Sequence, residues 1–424
     1  MGEIVTLEEW VAGQSVDFQD EGSEQAYKRR AERFRDAIRL QEPDRVPAVT
    51  AGGLLAADFA DLSFEEAMYD PEKLGEASVA FTTALEPDAL PRTFTPLARM
   101  LDELGYNLIN WPGGQLDSES PFQFVEDEYM KPEEYDELLR DPTGFFLRTY
   151  APRIADGLKG FEELPLIANP MFDAIIPAFG APGPREALEN LLSAAKKGFE
   201  DQRIQAEYNE KLKAMGYPDI TGGISEAPFD ALGDTIRGTK DVMIDIRKRP
   251  EKLKEALELF EGFMVEIGVG SAIQSNTPFV FIPLHKGSDA FLSKADYEEF
   301  YWPTLKGVME SLTEMGLIPI PFAEGAYSER LEILDGDLPD GEIIWWFDQT
   351  DMDEAKAVLG DQACLMGNVP SGLLKTGSAA EVREYCTDLI DGVGPEGLIL
   401  TPGCTPNRAP FENLKAMIDA PTQV

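Results

Sequence analysis

Short apolar runs alternate with longer amphipathic stretches along almost the whole chain. The runs read as strands are Val46–Thr50, Tyr106–Trp111, Leu164–Asn169, Ile220–Ser225, Pro278–Leu284, Leu317–Ala323, Ile343–Phe347, Cys364–Asn368 and Leu398–Thr401. Helical patterns separate many of them. Several open on a serine whose side chain can accept the backbone N–H three residues on: Ser63-Phe64-Glu65-Glu66, Ser293-Lys294-Ala295-Asp296 and Ser378-Ala379-Ala380-Glu381. Ahead of the first strand, Tyr27 to Leu40 sets Ala31, Phe34 and Ile38 at helical spacing.

Strand, loop and helix in repeated succession predict an α/β fold, a (β/α)8 TIM barrel rather than an open sheet. One strand is surplus to that architecture, and the Leu164–Asn169 and Ile220–Ser225 region is where the surplus is expected. Pro184–Met215, between those two runs, is charged and helical and reads as an insertion. Residues 1–30 are acidic and read as a mobile arm or short helices laid on the barrel. Residues 31–424 read as one barrel domain, since no linker divides them.

The 424 residues are 43% hydrophobic and 10% aromatic, enough for a sizeable core. No apolar run approaches the roughly 20 residues of a membrane span. The N-terminus lacks a basic-then-apolar leader, so a cytoplasmic protein is expected. Three cysteines in so long a chain make no disulfide scaffold. The net charge of −41 repels nucleic acid and anionic lipid. It leaves either a merely soluble surface or one that docks a basic partner. The single histidine, His285, removes HExxH sites and poly-histidine metal centres.

In an α/β barrel, chemistry sits where strands end and loops begin. Here Pro278–Leu284 runs into His285-Lys286, Leu317–Ala323 into Glu324, and Ile343–Phe347 into Asp348-Gln349. Asn368 and Cys404 end the last two strands. These polar groups are expected to converge on one face. A histidine, a carboxylate and a cysteine are an adequate ligand set for Zn²⁺ with one open position. The structural alternative is that Cys404 is a small core residue and His285 bonds a neighbour. Trp111, Phe172, Trp345, Trp346 and Phe347 suit substrate packing, and equally a barrel core. Gly392-Val393-Gly394-Pro395-Glu396-Gly397 matches GxGxxG but precedes a strand and holds a proline, so it reads as a loop. No GxSxG elbow surrounds Ser288 or Ser293, which argues against a serine triad with His285.

Five segments together resemble the uroporphyrinogen decarboxylase superfamily. They are Glu32-Arg33-Phe34 to Pro43-Asp44-Arg45-Val46-Pro47, Ala227-Pro228-Phe229-Asp230 to Arg237-Gly238, and Phe291-Leu292-Ser293 to Phe300-Tyr301-Trp302-Pro303. Gly367-Asn368-Val369-Pro370 and Thr401-Pro402-Gly403-Cys404 to Glu412-Asn413 complete the set. The superfamily holds porphyrinogen decarboxylases and zinc-dependent methyltransferases that work with corrinoid proteins. The decarboxylase branch clamps substrate carboxylates with an arginine-rich loop, but the matching stretch here, residues 46–53, has no arginine.

The corrinoid-dependent methyltransferase branch is the better match. Its thiol-activating members use a His-x-Cys at one strand end and a distant cysteine. Cys404 matches the distant cysteine, whereas Phe322-Ala323-Glu324 stands where His-x-Cys would be. The resemblance therefore implies a metal held by His285, Glu324 and Cys404, a set suited to a substrate oxygen. Glu324 and Asp348 would handle protons, and Trp111, Phe172, Phe322, Gln349 and Asn368 would bind substrate. No D-x-H-x-x-G corrinoid motif is present, so the corrinoid (cobalamin) is expected on a separate protein or free. Methyl transfer from an ether or similar small-molecule donor, as in an O-demethylase component, is the leading expectation. A metal-free decarboxylase or lyase acting on a small carboxylate is the alternative, a ligand-binding barrel the third reading, and a homodimer stays open.

Overall fold

The computed structural model describes residues 2–50, 52, 54–90, 97–220 and 222–422. Ala51 and Gly53 of the arginine-free stretch, and Thr221 of the run Ile220–Ser225, lie outside them. A small antiparallel pair, β1 (Ile109–Asn110) and β2 (Gln123–Phe124), stands apart from a six-stranded parallel sheet. That sheet is hydrogen-bonded in chain order: β3 (Gly223–Ile224), β4 (Phe279–Leu284), β5 (Ile318–Ala323), β6 (Ile344–Phe347), β7 (Cys364–Val369) and β8 (Leu398–Pro402).

Alternate side chains of these strands enter two different apolar clusters. Phe279, Ile318, Ile320, Phe322, Ile344, Trp346, Met366 and Ile399 share one. Val280, Ile282, Leu284, Trp345, Phe347, Leu365, Leu398 and Leu400 face the surrounding helices in the other. This period-two division is what a sheet covered on both faces requires. In β5 the Ile318 N–H donates to Pro278 of the β4 side, so Pro319 and Pro321 lack their N–H on the β6 side. Pairing of β5 with β6 accordingly begins only at Phe322.

Segment 46–49 runs parallel to β8, with Leu400 N donating to Pro47 O and Val49 N to Leu400 O. Asp88 N donates to Ala48 O, and Leu90 N to Pro218 O. The buried Asp88 carboxylate fixes this region: it accepts from Arg33 and Arg45 at 2.7 Å each and from Ala48 N at 2.9 Å. The conspicuous N-terminal motif is thus a structural clasp.

The first residues form two helices, Leu7–Ala12 and Glu21–Ile38, capped by the Thr6 and Asp20 side chains. Leu7, Trp10, Phe34 and Ile38 enter the same cluster as the first residues of the strands. The arm therefore packs under the sheet's inner face instead of over its outer helices. The Trp10 ring lies 4.9 Å from that of Phe279, and its Nε1 donates to Asp219 O at 3.0 Å. Trp10→Phe deletes this buried hydrogen bond and should cost about 1–2 kcal/mol in urea unfolding. An unchanged midpoint would show that the arm is not part of the cooperative core.

The helix expected over Pro184–Met215 spans Pro182–Ala214 and packs on the helices Pro71–Leu85 and Ala98–Glu103. Ser63 and Ser378 form full capping boxes, and Ser293 accepts from Asp296 N. Four expected strands are corrected: Val46–Thr50 makes only the isolated bridge of Ala48 to Leu400, and Ile220–Ser225 contracts to β3. Leu164–Asn169 is no strand: Pro165 removes a ladder donor and Leu166 is 52% exposed. Tyr106–Trp111 contracts to β1, whose partner is the antiparallel β2 and not the parallel sheet. No helix among the described residues is long and apolar enough to cross a membrane.

Candidate functional site

Parallel strands deliver all their C-terminal ends to one edge, and the polar groups gather there. Glu226 is the second residue after β3, and the helix Pro228–Thr235 begins two residues later. Asp230 and Asp234, four residues apart, lie on one face of that helix, turned towards the end of β4. The Asp230 carboxylate is fully buried. It accepts the backbone N–H groups of His285 (2.8 Å) and Lys286 (2.9 Å) and the Tyr301 hydroxyl (2.6 Å). It therefore fixes the turn that carries the only histidine.

His285 Nδ1 lies 2.5 Å from Asp234 Oδ2 and 4.0 Å from Glu226 Oε1. The buried Lys286 ammonium pairs with Asp234 and, at 3.4 Å, with Glu126. Among the described residues, Glu226, Asp234 and His285 are the group of three potential metal donors whose atoms lie within 4.8 Å of one another.

One imidazole and two carboxylates suit Zn²⁺ or a similar borderline cation. Two ligands on one such ion sit roughly 3.3 Å apart, given bonds of about 2.0–2.1 Å. A metal would therefore either part His285 from Asp234 or take the imidazole through Nε2, with Asp234 as the orienting acceptor on Nδ1. The first arrangement keeps Glu226, Asp234 and His285 all as ligands, and that donor set fits.

Burial pushes the Glu226 carboxyl up to about 7; Asp230 adds to this, while His285 and Lys286 oppose it. Burial likewise raises Asp230 against the pull of His285, Tyr301 and Lys286. Between the ordinary glutamate value and about 7, the folded protein holds a proton on Glu226 that the unfolded chain has released. Stability of the metal-free protein must then fall as pH rises through that interval. Glu226→Gln should match the parent near pH 4.5 and exceed it near pH 8 by up to about 3 kcal/mol in urea unfolding. Equal pH dependence of the two proteins would contradict the shift.

The far half of the edge carries a second group. Asp348 Oδ2 accepts from Gly325 N (3.1 Å) and Gln349 Nε2 (3.2 Å). Asn368 donates to Thr350 O at 2.7 Å and lies 3.3 Å from the Tyr385 hydroxyl. Cys404 Sγ is 3.3 Å from Ser371 Oγ, and burial raises its thiol. Asp348, Gln349, Asn368, Ser371, Tyr385 and Cys404 all line one cleft of about 690 Å³. Glu324 stands between the two groups: burial raises its carboxyl, His285 lowers it and Asp348 raises it.

The expected set His285, Glu324 and Cys404 is not brought to ligand distance. Cys404 follows β8, four strands along the sheet from β4, and its polar partner is Ser371. Phe322, in place of the histidine of His-x-Cys, is a core aromatic with its ring 4.4 Å from Trp346. Trp111 packs with Met68, Ala98 and Ile109, because the run that carries it does not join the parallel sheet. Phe172 is 64% exposed on the helix Phe172–Phe179, since the strand expected before it does not form. Glu226, Asp230 and Asp234 were missed. Their spacing of four and four, directly after a strand, was the available signal.

A parallel α/β sheet with its polar groups at the C-terminal edge defines a class of site before any relative is considered. The family model described as uroporphyrinogen decarboxylase (URO-D) matches residues 212–424, and the chain belongs to that family. Among solved structures, a methyltransferase from Methanosarcina mazei is 17% identical, with a TM-score of 0.60 over 94% of this chain and 98% of its own. A B12-independent methionine synthase from Shewanella sp. W3-18-1 is 12% identical, with a TM-score of 0.37 over 51% of this chain and 64% of its own. No curated protein matches.

Proposed function

We propose that this chain is a (β/α)8 barrel methyltransferase that uses zinc and moves a methyl group between an ether-like small molecule and a corrinoid. The corrinoid would come on a separate protein or free. The observation that carries the reading is the joining of His285 to Glu226 and Asp234 at the sheet's C-terminal edge. Closure of the barrel is supported by the hydrogen bonds that run from β8 through segments 46–49 and 88–90 to Pro218.

His285, Glu226 and Asp234 would hold the zinc, which supplies Lewis-acid polarisation of the donor oxygen. The chain's other groups do the rest. Asp230 and Tyr301 fix the His285 turn, and Lys286 offsets the charge of Asp234. Glu324, half-buried and inclined to keep its proton, gives that proton to the oxygen that retains the C–O electron pair as methyl passes to cob(I)alamin. Asp348, Gln349 and Asn368 position the reactants from the adjoining cleft. A decarboxylase acting on an anion is disfavoured: His285 and Lys286, the cations at this edge, are already paired with Asp234 and so are not free to hold a substrate carboxylate.

The test is the absorption of cob(I)alamin mixed with the zinc-loaded protein and a panel of methyl ethers. Conversion to methylcobalamin is the expected result. Inertness with every donor, in a protein holding no stoichiometric metal, would overturn the reading.

A further inference from the structure

A second opening reaches the same carboxylate from the side. Between the turn Phe146–Tyr150 and the long helix Pro250–Ser275 lies a groove of about 980 Å³. Its walls include Phe146, Tyr150, Phe161, Phe260, Phe263 and Ile267. The rings form a connected set: Phe260 and Phe263 are 5.5 Å apart, and Phe146 lies 6.3 Å from Phe260 and 6.4 Å from Phe263. Ile267 remains 47% exposed. The charged lining residues are Glu226 and Glu266, with no lysine, arginine or histidine. Glu226 is also the residue 4.0 Å from His285 Nδ1, so the groove adjoins the candidate metal group.

Aromatic walls favour a flat apolar body, which gains both burial and ring contacts. A groove whose charged lining is carboxylate alone turns away anions, because a negative group brought there loses its water and finds no cation on the walls. We propose that this groove binds the body of an uncharged aromatic molecule, entering from the side of the sheet, with its hydrogen-bonding head directed at Glu226. The inference rests on the reading of Glu226, Asp234 and His285 as the reacting centre. It adds the substrate class and its path of entry.

The probe is 2-naphthol, titrated by its own fluorescence into the full chain stripped of metal and without cobalamin, with 2-naphthoate as its anionic counterpart. The expected result is saturable binding of one naphthol per chain and binding of naphthoate at least about 10-fold weaker, the equivalent of roughly 1.4 kcal/mol. Glu226→Gln should narrow that gap. Ile267→Glu, at an exposed position, should keep the melting temperature and weaken naphthol at least about 10-fold. Ile244→Glu, a change at a 40% exposed position outside the groove, should leave binding unchanged. Equal affinity for the two naphthalenes, or no effect of Ile267→Glu, would overturn the proposal. So would a parent protein that is dimeric and becomes monomeric on Ile267→Glu, which would give the groove to a second copy. Because neither metal nor cobalamin is present, binding without methyl transfer would sink the functional reading alone, and methyl transfer without binding the groove alone.

Discussion

Replacing His285 by alanine is expected to cost the protein its zinc and, with it, methyl transfer. The imidazole is the only nitrogen donor in the group, and of the two carboxylates that remain Asp234 is already paired with Lys286. Removing even a group that merely orients a ligand lowers metal affinity about 10–100-fold, and loss of the ligand itself should exceed that. The fold should survive. The imidazole is 37% exposed, and the contact that holds the turn runs from the main-chain N–H to Asp230, which alanine keeps. Competition against a chelator of known affinity gives the zinc dissociation constant, and circular dichroism checks the fold. A His285→Ala protein that holds zinc as tightly as the parent would place the metal elsewhere.

Asp230→Ala should be the most damaging single change to stability at the site, at about 3–5 kcal/mol in urea unfolding. The carboxylate is wholly buried, and three donors depend on it. Alanine would leave two main-chain N–H groups and a phenol facing a void. Tyr301→Phe removes only one of those donors and should cost about 1 kcal/mol. A loss of less than about 1 kcal/mol for Asp230→Ala would mean that water or a shifted backbone replaces the carboxylate. The His285 turn would then owe its position to something else.

The parallel sheet was legible because burial on both faces leaves short continuous apolar runs, and from Pro278 onward every expected strand formed within a residue or two. The errors fall where an apolar run is flanked by segments that leave the sheet. Leu164–Asn169 reads as a strand by composition, yet its proline and its solvent-facing leucine belong to a loop. The N-terminal arm looked peripheral because its charges dominate, whereas Leu7 and Trp10 decide where it packs.

At the site, His285 and the placement of Asp348, Asn368 and Cys404 at strand ends were readable from the chain. The grouping was not. Which carboxylates meet the imidazole depends on how the helix Pro228–Thr235 is turned, and that rests on Asp230 bonding across to the next strand's turn. The family motifs carried part of this information in another form. Asp230 and Tyr301 lie in two of the family-like segments and are hydrogen-bonded to each other.

Everything proposed for the reaction rests on a metal held by Glu226, Asp234 and His285. X-ray absorption at the zinc edge of the loaded protein tests it most directly. The expected spectrum shows only oxygen and nitrogen neighbours, with the outer scattering of one imidazole. A sulfur neighbour at about 2.3 Å, lost on Cys404→Ala, would put the metal at the far side of the sheet and contradict that placement.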